Sequence, residues 1–108
     1  MEKCIKPHVL PFADILYLEG KSNYTQIYFR NGKKLLVCYT LKHFEALLAD
    51  YQGYIRTHKS FLVNLQLVKN VEWHADEPFM TLSNNDRVAI ARRKRGVVRK
   101  RLKGFAIS

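Results

Sequence analysis

Residues 55–65 read Ile-Arg-Thr-His-Lys-Ser-Phe-Leu-Val-Asn-Leu, and this stretch is the most informative in the chain. Its first half groups cationic, imidazole and hydroxyl side chains, whereas its second half, Phe61–Leu65, is apolar except for Asn64. A polar tip mounted on an apolar strand can present hydrogen-bond donors from a rigid base. Because the tip holds no carboxylate, the expected ligand is an anion rich in acceptors, and nucleic acid fits that description best.

The chain has 108 residues and a formal net charge of +10 at pH 7, and the excess lies almost wholly at its end. Residues 1–86 hold ten basic and nine acidic side chains, whereas residues 87–108 hold nine basic and no acidic ones. This asymmetry favours a phosphate-binding end on a balanced body, with a solvated basic tail as the alternative.

Length and composition predict one ordered domain without a membrane segment. The hydrophobic content of 47% is typical of a globule rather than of a disordered basic tail. No apolar run approaches the length of a membrane span, and residues 1–7 lack the apolar core of a signal peptide. Cys4 and Cys38 are too few for a disulfide framework, so the chain is expected in a reducing cytoplasm.

Apolar and alternating runs predict a mainly β chain. Seven strands are expected, at Ile15–Glu19, Thr25–Phe29, Leu35–Cys38, Phe61–Leu65, Val68–Trp73, Phe79–Leu82 and Arg87–Ile90. Asn31-Gly32 and the polar run Ser83–Asp86 are the predicted turns. Residues 1–11, which contain two prolines, are expected to be a lead-in or linker remnant, and residues 12–105 the domain itself.

Two helices are expected besides the strands. Thr40 is a candidate N-cap for a helix through about Tyr51. The apolar stripe of that helix should face the core, and it comprises Leu41, Phe44, Leu47 and Leu48. A basic helix should run from about Arg93 to Lys103. Its expected core contacts are Val97, Val98 and Leu102, and its expected outward cations are Arg95, Arg99, Lys100 and Arg101.

Three sequence motifs resemble those of a known protein family and occur in the same order along the chain. Residues 56–64, Arg-Thr-His-Lys-Ser-Phe-Leu-Val-Asn, follow the pattern Arg-x-His-Lys/Arg-Ser-x-x-Val-Asn. That pattern resembles the signature of the LytTR family, the DNA-binding domains of many bacterial response regulators. Asp14–Tyr24 is similar to the family's opening strand and loop, and Val88–Arg93 to its last strand and the start of a basic helix. The resemblance covers roughly residues 12–102. It implies an elongated antiparallel β fold with one short amphipathic helix and a C-terminal basic helix.

The same resemblance implies a function in bacterial transcription regulation. It implies sequence-specific binding of double-stranded DNA by the output domain of a two-component response regulator. Family members reach two successive major grooves with loops between strands, and they usually bind paired sites as dimers. A phosphorylated receiver domain often drives that dimerisation. The 108 residues contain no receiver, so both an excised fragment and a stand-alone regulator stay open, as do the operator and the genes controlled.

Four residues are expected to contact base edges. In the loop after the first strand the family's contact position falls at or beside Asn23 or Tyr24, where many members carry a basic residue or histidine, so the base preference there is left open. Lys59 occupies the contact position of the second motif, and Arg92 is the best match at the end of the last strand. An arginine that pairs bidentately with guanine contributes about 1–3 kcal/mol of discrimination. A loop asparagine such as Asn23 is more often a turn residue, whereas for Tyr24 a half-buried strand position is an equal alternative.

Ten further residues are expected to contact the DNA backbone or to support the base contacts, namely Lys21, Ser22, Arg56, His58, Ser60, Arg93, Lys94, Arg95, Arg99 and Lys100. Cations at the C-terminal end, with Arg101 and Lys103 among them, are assigned to phosphates, which position a domain without identifying bases.

Some residues of the second motif are expected to support the fold. Asn64 lies in an apolar context and should bond backbone groups rather than a base. Arg56 is expected to brace the loop by pairing with a carboxylate such as Glu19. His58 either titrates near neutral pH or stays neutral and hydrogen-bonded, and the second state is favoured.

No enzyme or metal motif is present in the sequence. It lacks a Gly-rich phosphate loop, an activated nucleophile, and metal-ligand spacing among its four histidines and two cysteines. Catalysis, cofactors and metals are therefore not expected. Two alternatives stay open, a non-specific RNA- or nucleic-acid-binding basic β domain and a protein-interaction module that uses its basic helix. Against RNA, the RNP-type motif is missing, and Tyr17, Tyr28 and Phe29 alternate as core strand residues would.

Overall fold

The computed structural model describes residues 2, 3, 7, 10–49, 51 and 53–105, which form two β-sheets and two α-helices in a body of 38 × 26 × 23 Å. The strands are β1 (Glu2–Lys3), β2 (Ile15–Lys21), β3 (Tyr24–Phe29), β4 (Lys34–Val37), β5 (Tyr54–His58), β6 (Phe61–Asn64), β7 (Val68–Glu72), β8 (Phe79–Leu82) and β9 (Arg87–Ala89). The helices are α1 (Leu41–Leu47) and α2 (Arg95–Lys103). Neither helix of this described part is long and apolar enough to cross a membrane. The predicted elongated, mainly antiparallel β fold is confirmed.

Strand β2 lies at the centre of the larger sheet, whose order is β1-β4-β3-β2-β6-β5. Ile15–Leu18 is buried at all four positions, as expected for a strand covered on both faces. On one face, α1 packs against a cluster that includes Leu18 and Ile27. On the other, the smaller sheet β7-β8-β9 and α2 pack against a cluster that includes Leu16 and Val63. The larger sheet is therefore the middle layer of the fold.

Both predicted turns are confirmed. Asn31-Gly32 joins β3 to β4, and Gly32 has a φ of 88°, a conformation that glycine adopts at little cost. Ser83–Asp86 joins β8 to β9 with Asn85 at a φ of 73°. Asparagine is one of the few other residues that tolerate this region, so the local sequence explains both reversals.

Helix α1 starts as expected but is shorter than expected. The Thr40 hydroxyl accepts a hydrogen bond from the His43 amide at 3.2 Å, which confirms the N-cap. The helix ends at Leu47, and Leu47 itself is 41% exposed. Leu41, Phe44 and Leu48 follow a three- and four-residue spacing and are buried. Leu47 lies at the margin of that face, on the side of Phe44 away from Leu41 and Leu48, so its assignment to the core is wrong.

Helix α2 begins at Arg95, after a 3-10 turn over Arg92–Lys94. Val98 and Leu102 are buried as predicted, but Val97 is 55% exposed, which corrects its assignment to the core. Residues four apart share a helix face, and the face of Val98 and Leu102 excludes position 97.

Arg101 does not face outward as expected. It is half-buried, and its Nη2 donates to the Tyr54 carbonyl at 3.0 Å. Because Tyr54 begins β5, this contact fastens α2 to the edge of the larger sheet. Arg101 is therefore a packing residue of the helix rather than a simple surface cation.

Two strands were not expected. Strand β5 contains the polar residues Arg56 and Thr57, which the sequence analysis assigned to an exposed tip. Strand β1 lies within the expected lead-in and pairs in parallel with β4. Cys38, next to β4, is disulfide-bonded, although the sequence analysis expected reduced cysteines. Cys4 lies outside the described residues.

Replacing Gly96 by alanine should raise the free energy of unfolding by up to about 1 kcal/mol. Gly96 is in the first turn of α2, and an added Cβ would meet no atom within 4 Å. Alanine has the higher helix propensity, and it loses less backbone freedom on folding. Urea unfolding followed by circular dichroism measures the change.

Gly32→Ala is the matched control for this substitution, since an added Cβ there also meets open space. Gly32 has a positive φ, so this substitution should destabilise the domain. A loss of stability in Gly96→Ala would contradict the prediction.

Candidate nucleic-acid interface

The β2–β3 and β5–β6 connections lie side by side at one end of the larger sheet. Strands β2 and β6 are antiparallel neighbours, so the end of β2 lies beside the start of β6. The Gly20 amide donates to the Ser60 carbonyl at 2.9 Å. Gly20 is the second-last residue of β2, and Ser60 directly precedes β6. The loop Ser22–Asn23 and the turn Lys59–Ser60 therefore emerge from the same edge.

Thr57 joins the third predicted contact segment to this end. Its side chain is fully buried, and its Oγ1 donates to the Ala89 carbonyl at 3.0 Å. The Ala91 amide donates in turn to the Thr57 carbonyl at 2.7 Å. Arg92 directly follows Ala91. The segment after β9 therefore passes beside Thr57, which lies only two residues before Lys59. The structure thus brings together the three segments that the sequence analysis selected.

Arg56 braces the β5–β6 turn from inside the protein. Its Nε donates to the His58 carbonyl at 3.0 Å and its Nη2 to the Lys59 carbonyl at 2.5 Å. Its Nη1 donates to Glu45 Oε1 of α1 at 2.6 Å, so the paired carboxylate is Glu45 and not Glu19. Arginine suits this task because its donors form a fixed planar fork. These contacts assign Arg56 to support of the turn.

His58 closes the same turn. Its Nδ1 accepts a hydrogen bond from the Ser60 amide at 3.1 Å. The expected hydrogen-bonded state of His58 agrees with this contact. Lys59 is exposed at the tip of the turn, and no hydrogen bond or ion pair to another described residue holds its ammonium group. The turn is thus braced at its base by hydrogen bonds and exposes one cation, the Lys59 ammonium group.

The β2–β3 connection is a two-residue loop, Ser22–Asn23, between the paired residues Lys21 and Tyr24. Ser22 has a φ of 58°, the sign that two-residue hairpin loops require at their first position. Asn23 is exposed at the tip, whereas Tyr24 is half-buried at the start of β3. Lys21 Nζ lies 3.9 Å from Glu19 Oε1. Asn23 is therefore better placed than Tyr24 to meet a ligand.

The C-terminal cations differ in what holds them. Arg92 is exposed, and its Nε and Nη2 donate to the Asp76 carbonyl at 3.2 and 2.6 Å. Arg93 is exposed and has no such contact with the described residues. Lys94 is half-buried and lines a cleft of about 230 Å³ between α1, β5 and α2. Arg92 and Arg93 are thus accessible at this end, and Lys94 is less so.

Helix α2 supplies a second group of cations. Arg95, Arg99 and Lys100 are exposed, and Arg95 Nε donates to the Arg92 carbonyl at 3.2 Å. The Arg99 guanidinium carbon lies 4.6 Å from the centre of the Trp73 ring. The helix contains no acidic residue, so it adds positive charge beside the gathered segments.

The aromatic residues of β2 and β3 are occupied within the protein. Tyr17 and Tyr28 stack with ring centroids 4.3 Å apart. Their hydroxyls donate to Asp86 Oδ2 at 3.1 Å and to Glu19 Oε1 at 2.8 Å, respectively. Burial and the Glu19 carboxylate raise the pKa of Tyr28 to about 12, so its hydroxyl stays a proton donor. The two rings are engaged inside the protein, and the Tyr17 hydroxyl also joins the larger sheet to the β8–β9 turn, which weighs against the base-stacking surface of the RNA-binding alternative.

Three residues of this region were missed by the sequence analysis. Glu45 gave no signal, because its role depends on how α1 packs beneath β5. Asp76 acts through its backbone carbonyl, which no residue type reveals. Trp73 could have been found, since it is the chain's only tryptophan and precedes a polar loop.

Comparisons with known proteins agree with this geometry. A family model described as the LytTr DNA-binding domain matches residues 6–103. A solved structure described as the LytTr DNA-binding domain of a response regulator from Bacillus cereus is similar, with a TM-score of 0.74 and 29% sequence identity over 86% of this chain and 84% of that chain. No curated protein sequence matches the chain.

Proposed function

Since the chain belongs to the LytTR family of DNA-binding domains, we propose that it recognises a specific sequence of double-stranded DNA. The observation that carries this proposal is the convergence of three segments at one end of the larger sheet. Hydrogen bonds from Gly20 to Ser60 and from Ala91 to Thr57 hold the segments in fixed positions. A rigid end that projects several donors matches the requirements of base contacts in a major groove.

The proposed division of labour follows the exposure of the side chains. Asn23, Lys59 and Arg92 contact base edges, with Tyr24 beside them at the start of β3. Arg93, Arg95, Arg99 and Lys100 contact phosphates, because they are exposed on the basic end. The remaining selected residues shape or flank the loops, and they are Lys21, Ser22, Arg56, His58, Ser60 and Lys94.

We further propose that this DNA-binding module is the output domain of a transcriptional response regulator. In that role it binds paired sites as a dimer, and a receiver domain elsewhere in the regulator controls the pairing. The similarity to a response-regulator domain supports this arrangement.

The proposal is tested by selection from a randomised duplex pool, followed by fluorescence anisotropy from about 50 to 300 mM salt. A steep salt dependence with an enriched motif, repeated about one helical turn apart, is the expected result. A steep dependence without an enriched motif would overturn sequence specificity and favour a general nucleic-acid binder. Absence of binding at low salt would overturn the proposed DNA recognition for this chain.

Arg99→Ala should weaken binding to selected and scrambled duplexes about equally. Loss of one phosphate contact should also lower the slope of log affinity against log salt by about one unit. Anisotropy titrations of both duplexes across the salt series measure the two effects. A loss confined to the selected duplex would mean that Arg99 contacts bases instead.

Lys33→Ala is the matched control, because it removes an equal charge from the β3–β4 turn. That turn lies at the end of β3 opposite to the β2–β3 loop, and Lys33 is exposed. Its salt slope should equal that of the unchanged protein.

A further inference from the structure

The loop between β7 and β8, residues 73–78, contacts two of the proposed DNA-binding arginines. The Trp73 ring lies under the Arg99 guanidinium at 4.6 Å. The Asp76 carbonyl accepts hydrogen bonds from Arg92 at 3.2 and 2.6 Å. Arg92 and Arg99 come from different turns of the C-terminal segment, so one loop serves two separate cations.

Both contacts leave donor groups of the arginines free. The Arg99 guanidinium carbon lies over the Trp73 ring, and no hydrogen bond or ion pair to another described residue occupies its N–H groups. Arg92 uses Nε and one hydrogen of Nη2, which leaves the edge formed by Nη1 and Nη2 for an acceptor. That free edge is the one that can pair bidentately with guanine O6 and N7.

Trp73 is itself held by the protein. Its ring is half-buried and packs against the core cluster of the smaller sheet and α2, which includes Val98 and Leu102. A side chain stacked on such a fixed ring samples fewer rotamers than one in free solvent. The entropy lost on binding a phosphate is then smaller, because part of the ordering is already present before DNA arrives.

We propose that Trp73 is a positioning residue for DNA binding, which holds Arg99 in the orientation that meets a phosphate, while the Asp76 carbonyl orients Arg92 beside it. This inference rests on the proposed function, since it takes Arg99 as a DNA contact. Trp73 itself touches no base in this arrangement and acts through Arg99.

A double-mutant cycle of Trp73→Leu and Arg99→Ala tests the inference by anisotropy. Trp73→Leu removes the ring and keeps an apolar side chain against the core. It should weaken duplex binding by at most about two- to fivefold, because the ordering that the ring supplies cannot exceed the strength of an exposed cation–π contact. In the Arg99→Ala background the same substitution should have no effect. In an Arg93→Ala background it should keep its full effect, because Arg93 does not contact the loop.

The outcomes separate this inference from the proposed function. If Arg99→Ala alone leaves binding unchanged, the assignment of Arg99 to DNA is wrong. If Arg99→Ala weakens binding but Trp73→Leu is equally harmful in both backgrounds, Trp73 acts on the fold and the positioning inference is overturned.

A second measurement needs no change at position 73. Trp73 is the only tryptophan, so its fluorescence reports on this loop alone. Duplex binding should change the emission of the intact protein, and Arg99→Ala at saturating duplex should show a smaller change. Equal changes in both proteins would overturn the inference even if Trp73→Leu fails to fold.

Discussion

Replacing Asn64 by alanine should lower the free energy of unfolding by about 1–3 kcal/mol, because it removes two hydrogen bonds made by a buried side chain. The Asn64 side chain is 1% exposed. Its Nδ2 donates to the Ile15 carbonyl at 2.9 Å, and its Oδ1 accepts from the Gln66 amide at 3.0 Å. The amide therefore ties the start of β2 to the chain leaving β6, and alanine can replace neither bond. Urea unfolding at neutral pH measures the loss.

The matched control is Asn70→Ala, which removes the same amide from an exposed position of β7. That variant should stay within about 0.5 kcal/mol of the unchanged protein. Asn64→Ala should also keep its affinity for duplex DNA at temperatures where it is folded, since the side chain is inaccessible. Retained stability together with lost DNA binding would reverse the assignment and make Asn64 a ligand contact.

The sequence allowed the central strands, the turns and the N-cap to be predicted, because each depends on local chemistry. Ile15–Leu18 is an unbroken apolar run, Asn31-Gly32 tolerates a positive φ, and the Thr40 hydroxyl lies within reach of the next turn. In each case the residue type and its near neighbours decide the structure, without knowledge of the rest of the fold.

Strand β5 was missed because its polar side chains are satisfied at a distance. Arg56 and Thr57 resemble an exposed polar tip when the sequence is read alone. In the fold their hydrogen bonds go to Glu45 and Ala89, which lie 11 and 32 residues away. A polar residue is compatible with a buried strand when such partners exist, and only the tertiary structure supplies them.

The candidate site shows the same contrast between features set by local sequence and features set by distant partners. The three candidate contact segments could be selected from their motifs, and Arg56 was expected to brace its turn, but the partners Glu45 and the Asp76 carbonyl could not be predicted. Glu45 is one of nine acidic residues in the chain, and a backbone carbonyl such as that of Asp76 is common to every residue type. The support of a site depends on packing between elements, whereas candidate contact residues can be selected from the chemistry of their own side chains.

Lys59→Ala should weaken binding to the selected duplex by about 1–3 kcal/mol and relax the preference at one or two base pairs. Lys59 is exposed at the tip of a turn whose backbone is held by Arg56 and by His58. Removal of the ammonium group should leave that backbone unchanged, because its bracing bonds run to main-chain atoms. The loss then reports on the contact and not on the shape of the turn.

Lys59→Arg separates the charge of this residue from its geometry. Arginine keeps the charge and can pair with guanine, so it should retain general affinity and can alter the preferred base. The measurement is anisotropy with the selected duplex and a scrambled one at the same salt. Lys59→Ala should lose more on the selected duplex than on the scrambled one, because a base contact exists only on the former. Equal losses on the two duplexes would assign Lys59 to phosphate, and base recognition would then rest on Asn23 and Arg92.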